Sequence, residues 1–172
     1  TYSGSTLVGT STSTLKLTVS ADALPSLTGI TVEETIASVK SLGIYVQSKS
    51  KLKLTITGAA GSYSSTIKSY TITVDDQTIY ASSGTTAEIK SSGTLTIKAT
   101  ITDSRGRSAS KNMTIAVAAY SPPKLTSYSA ARQSTATNVL VVASGSITSL
   151  KNGTTEKNSL TYVIKYKLTT AT

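Results

Sequence analysis

Apolar and polar residues alternate along most of this chain, and that alternation predicts strands. Leu15, Leu17 and Val19 form one apolar face with Lys16 and Thr18 opposite, so a strand with a buried face is expected there. Pro25 interrupts the pattern, and a new strand is expected over Leu27–Val32. Residues 33–47 mix two periods. Val32, Ile36 and Val39 have helical spacing, whereas Ile44 and Val46 are strand-like, which predicts a short helical turn or an irregular loop. Leu52, Leu54 and Ile56 then predict a strand ended by Gly58 to Ser62. Tyr70, Ile72 and Val74 predict the next, closed by Asp75 and Asp76. Short stretches follow around Ile79–Tyr80 and Ala87–Lys90. Leu95, Ile97, Ala99 and Ile101 predict a long strand, and Met113, Ile115 and Val117 its return across the turn Asp103-Ser104-Arg105-Gly106-Arg107. About seven short strands separated by turns indicate an antiparallel sandwich.

Past Tyr120-Ser121-Pro122-Pro123 the pattern restarts. Strands are expected over Leu125–Ala130, Val139–Ile147 and Leu160–Leu168, the last two separated by Lys151-Asn152-Gly153. Residues 15–32 and 113–130 also align with each other. Val19 meets Val117, Pro25 meets Pro123, Leu27 meets Leu125 and Thr28 meets Thr126, all at an offset of 98 residues. That period is the length of one small sandwich domain. The fold expected is all-β, with tandem immunoglobulin-like antiparallel β-sandwich modules. Residues 1–24 read as the end of a preceding module, 25–119 as a complete one, and 120–172 as the start of a further, incomplete one. Tyr120, Pro122 and Pro123 form the joint. Proline fixes its own φ and restricts the residue before it, so a short, semi-rigid connection is expected.

Composition narrows the function. The chain has no Cys and no His, which removes disulfides, thiolate zinc sites, Cys nucleophiles and His-dependent triads from its 172 residues. The sole Met, Met113, lies inside a strand pattern, so the sequence is expected to be a piece of a longer protein. The net charge of +9 favours anionic partners. However, Lys49, Lys51 and Lys53 alternate with Leu52, Leu54 and Ile56, and Lys165 and Lys167 alternate with Ile164, Tyr166 and Leu168. These lysines read as the solvated outer face of a sheet, where they also discourage edge-to-edge aggregation.

Each candidate for chemistry has a structural reading beside it. Arg105 and Arg107 could form an anion-binding tip, but Asp103 and Gly106 supply what a hairpin turn requires, namely an acceptor for turn N–H groups and a positive φ. Asp75 and Asp76 lack the alternating acidic loop with a distal Glu that calcium requires. Glu33 and Glu34 could begin a glycosidase pair, yet only eight acidic residues exist and nothing marks a cleft. Tyr45, Tyr63 and Tyr80 lie near turns and could stack on sugars or bases, whereas Tyr70, Tyr162 and Tyr166 fall in the apolar phase and read as core. Arg132 and the loop after it could make partner contacts. No catalytic residue, metal or cofactor is expected, and the chain does not read as an enzyme.

The run Thr100-Ile101-Thr102-Asp103-Ser104-Arg105-Gly106-Arg107, continuing through Ile115-Ala116-Val117 to Tyr120-Ser121-Pro122-Pro123-Lys124-Leu125, resembles the minor structural proteins of siphophages. So does the segment from Val39 to Leu52, and the resemblance covers most of residues 14–168. The family comprises tail, baseplate or tail-fibre proteins of phages infecting Gram-positive bacteria. Membership implies a virion location in the phage tail and a part in tail architecture or host attachment. It implies other tail proteins as partners, a homo-oligomer in the assembled appendage, and host cell-wall polysaccharide as a further partner, with no nucleic acid and no membrane. The alternative on the same fold is an adhesin or wall-polysaccharide-binding module on the bacterial surface, and a non-catalytic accessory domain of a wall hydrolase is a third.

Overall fold

In the computed structural model, the structure describes residues 2–3, 6–7, 9–15, 20, 23–134 and 138–165. The elements are β1 (Tyr2–Ser3), β2 (Thr6–Leu7), β3 (Gly29–Glu34), α1 (Ala37–Lys40), β4 (Tyr45–Val46), β5 (Leu52–Thr57), β6 (Ile67–Val74), β7 (Gln77–Ile79), β8 (Ser83–Thr85), β9 (Gly93–Asp103), β10 (Ser108–Ala118), β11 (Lys124–Arg132), β12 (Val139–Ser146), β13 (Lys151–Asn152) and β14 (Thr155–Glu156). The described chain is all-β apart from that one helical turn, which falls where the two periods overlap.

Two sheets enclose the main core. One has the order β4-β10-β9-β6-β7, the other β3-β5-β8. The alternation of β5 explains its placement: Leu52, Leu54 and Ile56 are buried while Lys53 and Thr55 face outward. From the other sheet Ile72, Ile97 and Ile101 meet them with no exposed surface. Burying such side chains contributes on the order of 2 kcal/mol each before the entropy of ordering the chain is set against it. Among the described residues the pairings are antiparallel with one exception. β4 runs parallel to β10, Tyr45 opposite Val117 and Val46 opposite Ala118. After β3 the chain turns through α1 and crosses to the other sheet, so β4 returns alongside β10 in the same direction.

Three expectations need correction. The stretch Ala87–Lys90 is not a strand; β8 lies earlier, at Ser83–Thr85. Thr86 diverts the chain, because its hydroxyl accepts the Leu52 N–H at 2.9 Å and takes the role of a ladder carbonyl. Ile89 is nonetheless fully buried, and its N–H bonds to the Ser50 carbonyl. Second, Leu15 is 80% exposed and contributes to no buried face; Leu17 and Val19 lie outside the described residues. Third, residues 160–165 are not a strand, and Tyr162 is exposed rather than core. Leu160 and Tyr162 sit against the bare backbone of Gly145, where a side chain would intrude, and hold there by side-chain contact without ladder bonds. Tyr166, Lys167 and Leu168 lie outside the described residues.

Among the described residues beyond 120 the strands form two hairpins, β11–β12 and β13–β14. Lys151-Asn152-Gly153 is therefore part of a small hairpin and not a plain spacer. Among the described residues past 120, Leu150 alone is buried.

Candidate functional site

The two ends of the main sandwich carry the polar side chains singled out above. At one end the β9–β10 turn meets the loop between β5 and β6. Asp103 is completely buried at this turn. Its Oδ1 accepts the N–H groups of Arg105 and Arg107, each at 2.9 Å. Its Oδ2 accepts from the Arg107 guanidinium at 2.8 and 3.2 Å. Burial alone would raise the Asp103 pKa. The Arg107 N–H, the Arg107 guanidinium, the Ser65 side chain and the Arg105 N–H outweigh that effect and hold the carboxyl well below the usual carboxylate range. Arg105 reaches across to the Ser62 carbonyl, and the Ser104 N–H bonds to the Thr66 carbonyl at 2.8 Å. Arg107 is thus committed to the turn, while Arg105 staples it to the neighbouring loop. Tyr63 lies in that loop and is 72% exposed.

Gly106 has φ +80°, and nothing lies near the position a Cβ would occupy. Substitution there is opposed by backbone strain alone. Gly106→Val is expected to destabilise the protein by about 1–2 kcal/mol, the cost of a left-handed conformation for a residue with a side chain. Thermal melting checks this, and an unchanged midpoint refutes the assignment.

The opposite end is the seam where the chain leaves the sandwich. Tyr120 packs, half-buried, against Val39, Val46 and Leu150. Its N–H donates to Gln47 Oε1 at 3.2 Å, and Lys49 Nζ lies 5.5 Å from its ring centroid. Pro122 and Pro123 are exposed, and their neighbour Ser121 is held on both sides: its N–H donates to Thr148 Oγ1 at 2.9 Å, and that hydroxyl donates back to the Ser121 carbonyl at 3.1 Å. Asn152 Nδ2 donates to the carbonyl of Leu42 at 3.1 Å. Glu156 organises the segment that delivers these groups. It pairs with the Ser149 hydroxyl and accepts N–H groups from Leu150 and Asn158. The Ser149 bond, then the Asn158 and Leu150 N–H groups, lower its pKa to about 2.

The remaining candidates are dispersed. Tyr80 is 82% exposed on the β7–β8 connection, Arg132 is exposed at the end of β11, and neither joins the groups above. Tyr45 is half-buried and packs on the core, so its ring is no open platform. Asp75 and Asp76, at φ +47° and +59°, form the tight turn between β6 and β7, and Asp75 accepts N–H groups from Lys90 and Ser91. Among the described residues no group of three or more His, Cys, Asp or Glu side chains could hold a metal ion. Leu150 and Thr148 were not singled out from sequence, and Asn152 was read only as part of a separating turn: Leu150 packs on Val39 and Val46 and Asn152 reaches Leu42, all more than 100 residues away, while Thr148 bonds to Ser121 in an irregular stretch.

The chain matches the family described as siphovirus protein of unknown function (DUF859) over residues 1–171. No curated protein matches it.

Proposed function

The chain belongs to this siphovirus protein family, and from that premise we propose that it is a structural module of a phage tail appendage (tail fibre, baseplate or minor tail protein) of a phage infecting Gram-positive bacteria. The seam carries this reading. A tail appendage must transmit position and load along its length, and a joint filled by Tyr120 and Leu150 and cross-bonded through Thr148 and Asn152 is suited to that. A free linker would let neighbouring units tumble. The strand order supports immunoglobulin-like modules. β3-β5-β8 corresponds to A-B-E, and β4-β10-β9-β6-β7 to A′-G-F-C-C′, with the chain switching sheets between its first two strands. The further unit would begin at β11.

The proposed role is passive, supporting host attachment without catalysis. It places the protein in the virion tail with other tail proteins and further copies of itself as partners, and host cell-wall polysaccharide as what the appendage meets. No nucleic acid or membrane partner belongs to the reading; no helix of the described residues is long and apolar enough to cross a membrane. Immunogold labelling of virions with an antibody to this chain tests it. Gold at the tail or its tip is expected. Gold confined to the head, or virions lacking the protein, would overturn the reading.

A further inference from the structure

The hairpin β11–β12 adds no side chain to either buried cluster. Across it Arg132 lies opposite Val139, Ala131 opposite Leu140, Ala130 opposite Val141 and Ser129 opposite Val142. Opposed residues share a face and successive ones alternate, so Val139 and Val141 lie on one face, Leu140 and Val142 on the other. All four are exposed. Leu160 and Tyr162 lie against the hairpin at Gly145, at the other end of β12. Among the described residues β12 pairs with β11 alone, which leaves its second edge without ladder partners. A two-stranded hairpin is marginal by itself and needs further strands or a covered face.

We propose that a second copy of the chain adds its own β12 to this edge, antiparallel, about a two-fold axis through Val141. The two edges of the hairpin are not alike. β11 follows Pro122 and Pro123 and carries Lys124 and Arg132 at its ends, devices that discourage pairing. β12 has none of them: from Gln133 through Leu150 no residue is charged, in a chain with 17 basic and 8 acidic ones. Chains of net charge +9 repel each other, and an uncharged strand is where two of them can approach with least repulsion. A partner of opposite charge, by contrast, finds no cation along this strand to recognise. The strand is also complementary to itself. With Val141 facing Val141 of the second copy, Leu140 faces Val142 and Val139 faces Ala143, so every pair is apolar and stays on its own face. Such an isologous contact closes after two copies. The two β11 strands then form the outer edges of a four-stranded sheet, where Lys124 and Arg132 oppose further addition.

The pairing rests on the tail reading for its setting, in which further copies of the chain are partners. It is tested in solution, so virion labelling and self-association fail separately. Sedimentation velocity of the whole chain over a concentration series is expected to show a monomer–dimer equilibrium with a Kd of about 10–100 μM, suited to an interface at the small end of the specific range. Hydrogen exchange at the β12 amides should slow as concentration rises. Val141→Lys sets like charges face to face across the axis and is expected to weaken the dimer at least tenfold. Val141 is exposed in the single chain, so dilute Val141→Lys should melt at the dilute wild-type midpoint. The chain has no Cys, so Val141→Cys carries a single thiol, and mild oxidation should give a disulfide-linked dimer. Ala130→Cys, on β11, places its thiol three strand spacings from its equivalent, about 14 Å and too far to bridge. A monomer at every concentration, unchanged association of Val141→Lys, equal cross-linking of Ala130→Cys, or β12 protection independent of concentration would overturn the proposal.

Discussion

Asp103→Asn should lower the melting midpoint by roughly 10 °C or more, the scale expected when one partner of a buried, hydrogen-bonded ion pair is neutralised. The asparagine can keep an oxygen for the Arg105 and Arg107 N–H groups, but its amide then presents a donor to the Arg107 guanidinium, which is itself only donors. The Arg107 side chain is 17% exposed, so water cannot fully replace the lost partner. The loss spreads to the neighbouring loop through Arg105 and Ser104. The sign of the pH dependence follows from the depressed carboxyl pKa. The contribution of Asp103 is complete above the unfolded value of about 3.9 and disappears as pH falls through the lower folded value. The gap in melting midpoint between wild type and variant should therefore be constant from pH 5 upward and close only in strong acid. A variant that melts within about 2 °C of wild type at neutral pH would show that the turn does not depend on this carboxylate.

How much of this was legible depended on whether a position's role is local. β5 could be read from Leu52, Leu54 and Ile56, because period-two burial is a property of one strand. The Asp103–Arg107 turn could be read for the same reason: its donors and acceptor lie within five consecutive residues. Roles set by distant partners could not be read. Ile89 is buried as its apolar character suggests, yet Thr86 takes the segment out of the ladder through a hydroxyl bond to Leu52, 34 residues away. Tyr162 sits in an apolar phase, but it lies beside Gly145 in a region with little core to enter. Val139 to Val142 shows the converse. The run is apolar on both strand faces, as in a strand covered twice, and all four residues are exposed. At the seam, prolines announced a stiff connection, whereas the groups that hold it are Leu150, Thr148 and Asn152, ordinary residues whose importance comes only from what they touch.

Leu150→Ala should therefore detach the 148–158 segment from the sandwich, and should do so more completely than replacing both prolines with glycine. Leu150 is 5% exposed and lies among Val39, Val46 and Tyr120. Deleting a buried leucine side chain costs about 2–5 kcal/mol. The other ties are individually weaker: about 1 kcal/mol for a neutral hydrogen bond such as that of Thr148 or Asn152, and about 0.5–1 kcal/mol for an exposed Lys49–Tyr120 contact. Each proline-to-glycine change acts chiefly through chain entropy and costs roughly 0.4–1 kcal/mol. Two readouts check the order. Small-angle scattering should show a larger radius of gyration for Leu150→Ala than for the double glycine variant, and trypsin should cut after Lys124 sooner in the leucine variant. Because Leu150 is held in place by Glu156, acid should produce the same release. The Glu156 pKa is depressed to about 2, so its contribution is present above the unfolded value of about 4.3 and is lost as pH falls from there toward 2. Loosening of the seam in that window, with β9 and β10 still protected from hydrogen exchange, would place the lability at the joint. If the glycine variant loosened it as much as the leucine variant did, backbone stiffness at Pro122 and Pro123 would be the dominant restraint and the packing of Leu150 secondary.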